Sequence, residues 1–377
     1  MSRLAKLFSA RFLLDKTVRE LGIARDLLVD GRTGIELDLT DRRDSADDDA
    51  LIARIARAYA AAKKDQATVA PGPYQVGGAW KDDINRRRGD WLRALEGNDR
   101  TALRDLFKNF LRNSGSAGLS AYTYFEQISR AGRRCRALLK RSLLRDYRLW
   151  LAITVDAKPE DLRLPAAGNP WGVRIDGTLV TMGSVRYHYW ASRMSPLLAD
   201  LPEPVLCEVG GGYGGFAYFL LRDAETRLTY VDFDIPEVLL VASYYLLKAF
   251  PDRKALLYGE ADAKSLTRQT LRGYDIVLLP NFAAPALAAG SIDVGFNTGS
   301  FSEMDYPSIE EYLRRLAGAG ASWLFHVNSD REATNTGGHI EVPASRFPIP
   351  DGYRLLYRLP GGFEERYREF LYRARRV

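Results

Sequence analysis

Cysteine and histidine are scarce in this chain, with two and three residues respectively among 377. The two thiols, Cys135 and Cys207, exclude a disulfide scaffold and a cysteine-rich zinc module, and they fit a reducing, cytoplasmic compartment. No His/Cys/Asp/Glu set has metal-ligand spacing, so no metal is expected. Long apolar runs are lacking as well. The longest uncharged stretch, 276–292, is broken by Pro280 and Pro285 and rich in alanine, which argues against a membrane span. The N-terminal segment MSRLAKLFSARFLLDK has no continuous apolar stretch and no small-residue cleavage site. It reads as a short amphipathic helix rather than a presequence. Internal repeats and low-complexity tracts are absent.

What is present is an ordinary globular composition, 46% hydrophobic and 27% charged, enough for a sizeable core in one large domain or two ordinary ones. The net charge of +6 is unevenly placed, since residues 1–165 carry 32 Lys+Arg against 23 Asp+Glu. Such asymmetry suits a phosphorylated or acidic partner. The densest cluster, 130–148 (RAGRRCRALLKRSLLRDYR), has Leu138, Leu139, Leu143 and Leu144 at helical spacing. It reads as an amphipathic helix with a solvated basic face, because it lacks the series of interleaved aromatics that stacks nucleic-acid bases.

The chain divides into a helical N-terminal domain (1–155), a linker with a hairpin (156–185) and an α/β domain (186–377). Residues 50–63 are strong helix formers behind the acidic run 44–49, and 83–95, 101–112 and 122–151 continue the helical pattern. In the linker, Asp176-Gly177 between β-branched runs predicts a type I′ turn. From Pro204 the grammar changes. Strand-length apolar runs at 205–209, 227–233, 274–279, 292–296, 323–327 and 353–359 alternate with helical runs at 216–221, 236–250 and 308–316. This alternation predicts a Rossmann-like parallel sheet with its crevice at the strand carboxyl ends.

The most informative segment is Cys207-Glu208-Val209-Gly210-Gly211-Gly212-Tyr213-Gly214-Gly215, between a strand and a helix. Gly210, Gly212 and Gly215 satisfy the dinucleotide fingerprint G-x-G-x-x-G. Gly210, Gly212 and Gly214, with Glu208 two residues ahead, satisfy [D/E]-x-G-x-G-x-G. That pattern resembles motif I of class I S-adenosylmethionine (SAM) methyltransferases. The carboxylate separates the two: an acid facing a pyrophosphate repels it, whereas SAM presents an ammonium and a sulfonium. At the end of the second strand, Asp234 is the first candidate to accept the ribose hydroxyls and Asp232 the reserve. Strand alternation puts both on one face. Asp234-Ile235-Pro236 resembles the Asp-Leu-Pro of many small-molecule O-methyltransferases, although an aspartate before proline also suits a helix cap.

Together with the glycine segment and 231–236, the run Asp293-Val294-Gly295-Phe296-Asn297-Thr298-Gly299-Ser300-Phe301-Ser302-Glu303-Met304 resembles the sugar O-methyltransferase family of bacterial polysaccharide and antibiotic pathways. Gly77-Gly78-Ala79-Trp80, 109–113 and Gly118-Leu119 resemble that family's N-terminal segments. The resemblance spans roughly residues 75–330 and implies SAM as cofactor and a sugar hydroxyl as acceptor.

A sugar hydroxyl needs a base to take its proton as the methyl bond forms. The candidates are Glu303, within the family-like segment, His326 near a strand end, and His188 in Arg186-Tyr187-His188-Tyr189-Trp190. That last segment could form a lid or sugar platform. His339 follows Gly337-Gly338 and reads as a loop residue. Asn297 is expected to face SAM or the acceptor, or else to tie down its own loop. The rival reading is an RNA methyltransferase using the basic half. Against it stand the lack of an Asp/Asn-Pro-Pro-aromatic motif and the absence of a cysteine placed for base attack. An NAD-linked oxidoreductase and a binding module that has kept only the fold are further alternatives.

Overall fold

The change of grammar at Pro204 is where the central sheet begins. The computed structural model describes residues 36–69, 72–77, 80, 88–116, 119, 121–130, 132–181, 183–261, 265–334 and 340–375. The N-terminal segment and His339 lie outside them. Eight strands form the sheet: β4 (Val205–Val209), β5 (Thr229–Asp234), β6 (Ala255–Leu257), β7 (Ile276–Pro280), β8 (Val294–Thr298), β9 (Trp323–Ser329), β10 (Tyr353–Pro360) and β11 (Tyr367–Ala374). Their order is β10-β11-β9-β8-β4-β5-β7-β6. β4 to β9 run parallel, and β11 pairs antiparallel with both β9 and β10. The parallel α/β architecture is therefore the one expected. Strand β11 lies beyond that expectation, because Arg368, Glu369 and Arg373 interrupt its apolar pattern, the Arg373 cation resting over Trp323.

Period-two alternation splits the sheet into two packed faces. Leu206, Tyr230, Leu278 and Phe296 belong to one core cluster, and Val205, Cys207, Val231 and Val277 to the other. Both faces are covered, as a parallel sheet requires. The second face receives α9 (Arg268–Arg272) and α10 (Tyr306–Gly318). The first receives α6 (Ser184–Leu198), α7 (Gly215–Asp223) and α8 (Pro236–Ala249).

The N-terminal helices pack on that same first face. α1 (Asp49–Gln66), α2 (Gly89–Glu96) and α3 (Arg100–Lys108) place Ile52, Ile55, Trp91 and Phe107 in the core cluster that also holds Tyr213, Tyr244 and Tyr245. Helices α1, α2 and α3 thus share the core of the sheet. Asp48, in the acidic run read as a helix-end feature, makes no side-chain cap. Its carboxylate accepts from Tyr244 Oη at 2.7 Å and Lys248 Nζ at 2.5 Å, tying α1 to α8.

The helical stretch predicted over 122–151 is two helices, α4 (Ala121–Arg130) and α5 (Arg133–Ile153). α5 carries the basic cluster and buries Leu143, Leu144, Tyr147 and Trp150 against a three-stranded ribbon. That ribbon comprises β1 (Glu36–Asp38), β2 (Gly172–Ile175) and β3 (Thr178–Thr181). The β2–β3 turn has φ of 47° at Asp176 and 82° at Gly177, the two positive values a type I′ turn demands. Among the described residues no helix is long and apolar enough to cross a membrane.

Candidate active site

Strand β4 ends in a glycine turn that only glycine could make. At Gly210 φ is +76°, and a Cβ there would lie 2.3 Å from Ser300 Oγ. Gly214, at φ +86°, is the left-handed residue from which α7 departs. Two carboxylates hold the turn: the Gly211 N–H donates to Asp232 Oδ1 at 3.0 Å and the Gly212 N–H to Asp234 Oδ2 at 3.1 Å. On the β8 side, Ser300 Oγ and Asn297 Nδ2 both donate to the Val209 carbonyl, at 3.0 and 2.7 Å.

Next to this turn lies a cavity of about 210 Å³ at the carboxyl ends of β4, β5 and β8. Here the sheet order reverses from β5 to β8 on either side of β4, so the crevice is where a doubly wound sheet binds ligands. Glu208, Gly210, Gly212, Asp234 and Glu303 line it together. Glu208 is 1% exposed and accepts from Tyr230 Oη at 2.6 Å. Burial nevertheless pushes its carboxyl up to about 8, and the negative neighbour Asp234 adds to the rise. Burial likewise raises Asp234 to about 7, against the lowering effect of the Ile235 and Gly212 N–H groups. These two acids, on adjacent strands, both line the cavity, and burial is what disfavours their charged forms.

The structure separates Asp232 from Asp234, which the strand pattern could not do. Asp232 is 1% exposed beneath Gly211, does not line the cavity, and supports the turn. Asp234, two residues further and at the strand end, reaches it. Asn297 is also withdrawn. It is 1% exposed, donates to Val209 and Ser300, and accepts from Asn328 Nδ2 at 2.7 Å, so it latches its own loop. Gly214 is spent on the start of α7 and does not line the cavity either.

Neither histidine on the shortlist reaches the cavity. β9 continues three residues past His326 to Ser329, so His326 is inside the strand, not at its end. Its ring is stacked against Phe370 at 4.8 Å and Tyr372 at 5.8 Å, with both nitrogens unpartnered, and burial pushes its pKa down to about 3. His188 accepts a hydrogen bond at Nδ1 from Trp150 Nε1 at 3.1 Å and packs edge-on to Phe219. Helical geometry explains this: Tyr187 and Trp190, three apart, share the face of α6 that lines the cavity, and His188 is turned to α5 and α7. Tyr189 packs on Phe363.

Several further residues line the cavity. Trp80 donates from Nε1 to Glu303 Oε2 at 2.8 Å. Residues 73, 75, 76 and 77 cross the cavity as a strap, which Asn281 Nδ2 anchors at the Tyr74 carbonyl (2.8 Å) and Ser308 Oγ at the Pro73 carbonyl (2.9 Å). Arg186 lines the cavity in an ion pair with Glu364, beside Tyr367. Burial, with Glu364 and Glu303 nearby, holds the Tyr367 phenol above its ordinary range. Gly77 and Trp80 could have been suspected from the family-like segment they begin and end, and Arg186 from its place in the aromatic and basic run 186–190. Glu364 and Tyr367 arrive through the β11 pairing, which local pattern does not reveal.

No family model matches this chain, and no curated protein does. Solved structures with low similarity exist. The small RNA methyltransferase HEN1 aligns at 16% identity over 51% of this chain, with a TM-score of 0.36, and the chain spans only 25% of the length of HEN1. The mitomycin 7-O-methyltransferase MmcR aligns at 17% identity over 87% of this chain and 96% of its own, with a TM-score of 0.36. Magnesium protoporphyrin IX methyltransferase (ChlM) from Synechocystis PCC 6803, in its SAM-bound structure, aligns at 12% identity over 51% of this chain and 81% of its own, with a TM-score of 0.34.

Proposed function

We propose that the protein is a SAM-dependent O-methyltransferase acting on a sugar hydroxyl. The observation that carries the cofactor is the pair Glu208 and Asp234, two buried acids flanking a glycine turn on the wall of one cavity. Two buried carboxylates on the cavity wall are matched by a ligand with an ammonium and a sulfonium, and mismatched by the pyrophosphate of NAD. Glu208 faces the cationic end, and Asp234 accepts from the ribose hydroxyls. When bound, SAM supplies a methyl group, carried from its sulfonium sulfur to the acceptor oxygen.

The chain's own residues do the rest. The latch of Asn297 and Ser300 on Val209 fixes the turn, which limits the ligand to one orientation and supports in-line alignment. Glu303 stands on the cavity wall with one carboxylate oxygen held by the Trp80 indole N–H, and it takes the hydroxyl proton. The strap 72–77 excludes water from one side. The sugar specificity rests on the sequence resemblance. An RNA acceptor is disfavoured by the lack of an Asp/Asn-Pro-Pro-aromatic motif and of a cysteine placed for base attack, since Cys207 is buried within β4.

Thermal stabilisation tests the cofactor. S-adenosylhomocysteine at a hundredfold excess over its Kd should raise the melting temperature by roughly 5 °C. NAD should leave it unchanged, and Gly212→Asp should abolish the shift. Stabilisation by NAD alone would overturn the proposal.

A further inference from the structure

The first turn of α6 brings an aromatic ring to the wall where the SAM reading above, on which this inference rests, puts the cationic end of the cofactor. By strand alternation Glu208 lies on the same sheet face as Leu206 and Tyr230, the face that α6 and α7 cover. Tyr187 therefore lines the cavity together with Glu208 and Gly212, and its phenol is within electrostatic reach of the Glu208 carboxyl group.

Tyr187 is held with little freedom. Two glycines make room for its ring: a Cβ at Gly183 would stand 2.9 Å from its Cε2, and one at Gly215 only 2.6 Å. Tyr213 packs edge-on to it at 5.7 Å between ring centroids, and Trp190, three residues along α6, at 6.0 Å. Gly215, which completes the dinucleotide-like spacing in the sequence, does not line the cavity; it leaves space for this side chain. A ring fixed in this way loses little entropy when a ligand rests on it.

SAM carries two positive groups of different chemistry. Its ammonium has N–H donors, which a carboxylate accepts. Its sulfonium has none. The partner suited to a cation without donors is the negative face of an aromatic ring, as in the recognition of quaternary ammonium groups. Glu208 serves the first group, and Tyr187 stands beside it on the same wall. Arg186, the preceding residue, is ion-paired with Glu364, which offsets its charge.

We propose that Tyr187, backed by Trp190, is the sulfonium contact, through which the site distinguishes charged SAM from S-adenosylhomocysteine, whose sulfur is neutral. The two ligands share the ammonium, the ribose and the adenine, so Glu208 and Asp234 treat them alike. The aromatic run 186–190, expected as a lid or a sugar platform, then meets the cofactor through Tyr187.

Calorimetry on the full-length protein, with SAM and S-adenosylhomocysteine titrated side by side, tests this. Binding of neither ligand to the wild type would overturn the cofactor reading and the sulfonium contact with it. With both bound, Tyr187→Leu should weaken SAM about fivefold or more and S-adenosylhomocysteine less than about twofold. Tyr187→Phe keeps the ring and should leave both affinities within about twofold of the wild type. Leucine also removes packing, so a variant of preserved shape separates the two effects. Pentafluorophenylalanine in place of Tyr187 keeps the ring and reverses its quadrupole, so it should weaken SAM and leave S-adenosylhomocysteine unchanged. Retained S-adenosylhomocysteine binding shows that this variant is folded. Equal losses for the two ligands in the fluorinated variant, or an unchanged SAM affinity in it, would each overturn the proposal.

Discussion

Glu208 and His326 are both fully buried ionisable groups, and their surroundings give them opposite consequences. Glu208 holds its proton up to about pH 8, so a cationic ligand must displace it. SAM affinity should therefore rise with pH until about 8 and level off above. In Glu208→Gln that slope should shrink to the part due to Asp234 and affinity fall about tenfold or more, measured as Kd against pH by calorimetry. The sign for folding is the reverse. The native state binds more protons than the unfolded chain between the ordinary carboxylate value of 4.5 and about 8, so this group's contribution to stability declines as pH rises through that window. His326 has its pKa pushed down to about 3, so the unfolded chain takes up its proton first as pH falls below 6.5. Stability is then lost toward acid, by about 2 kcal/mol at pH 5. His326→Phe should preserve the aromatic stack and remove that loss. Urea unfolding should show a larger gain at pH 5 than at pH 8, with methyl transfer unaffected.

The turn between β4 and α7 and the loop after β8 form one unit, joined through Ser300 and Asn297 to the Val209 carbonyl. Gly210→Ala tests that unit, since the added methyl meets Ser300 Oγ as well as a positive φ. Gly290→Ala is its control, with φ of +69° and nothing within 4 Å of the new Cβ. The control should lose about 1–2 kcal/mol from backbone strain alone. Gly210→Ala should lose more, and should also lose S-adenosylhomocysteine binding. Comparable losses in the two would show that the latch to Ser300 has no energetic weight. The glycine turn is legible in the amino-acid sequence because its signals are local: glycines at fixed offsets, an acid two residues ahead, a strand before and a helix after. Helix α6 is not among the helical runs read from the sequence, and its facing lies further still beyond such a reading. Which of Tyr187, His188 and Trp190 meets the cavity depends on where the helix axis lies, and periodicity leaves that rotation free.

The N-terminal helices complete the covering of one sheet face, so the α/β half should not stand alone. A fragment of residues 186–377 would expose Tyr213, Tyr244 and Tyr245, which pack on Phe110 in the intact protein. It should lack the near-ultraviolet circular dichroism of a fixed aromatic core. A cooperatively folded fragment that binds S-adenosylhomocysteine would contradict the shared core. The strap gives a second expectation. Because residues 73, 75, 76 and 77 line the cavity, cofactor binding should slow backbone hydrogen exchange at Gln75, Val76 and Gly77, and exchange along α5 should not change.

Patterns among near neighbours were enough to establish a parallel α/β sheet from Val205 onward, the type I′ hairpin at Asp176-Gly177, and the glycine turn with Glu208 and Asp234 beside it. Each depends on the conformational range of a few consecutive residues or on the alternation of one strand. The tertiary structure decided that Asp232 and Asn297 serve the turn from beneath, that His188 and His326 are packing residues away from the cavity, and that the Arg186–Glu364 ion pair stands on its far wall. That wall joins Trp80, Arg186, Glu303 and Glu364 from four distant stretches of chain. They meet because β11 inserts between β9 and β10 and the strap lies across the strand ends, and strand neighbourhood is set by the packing of the entire sheet.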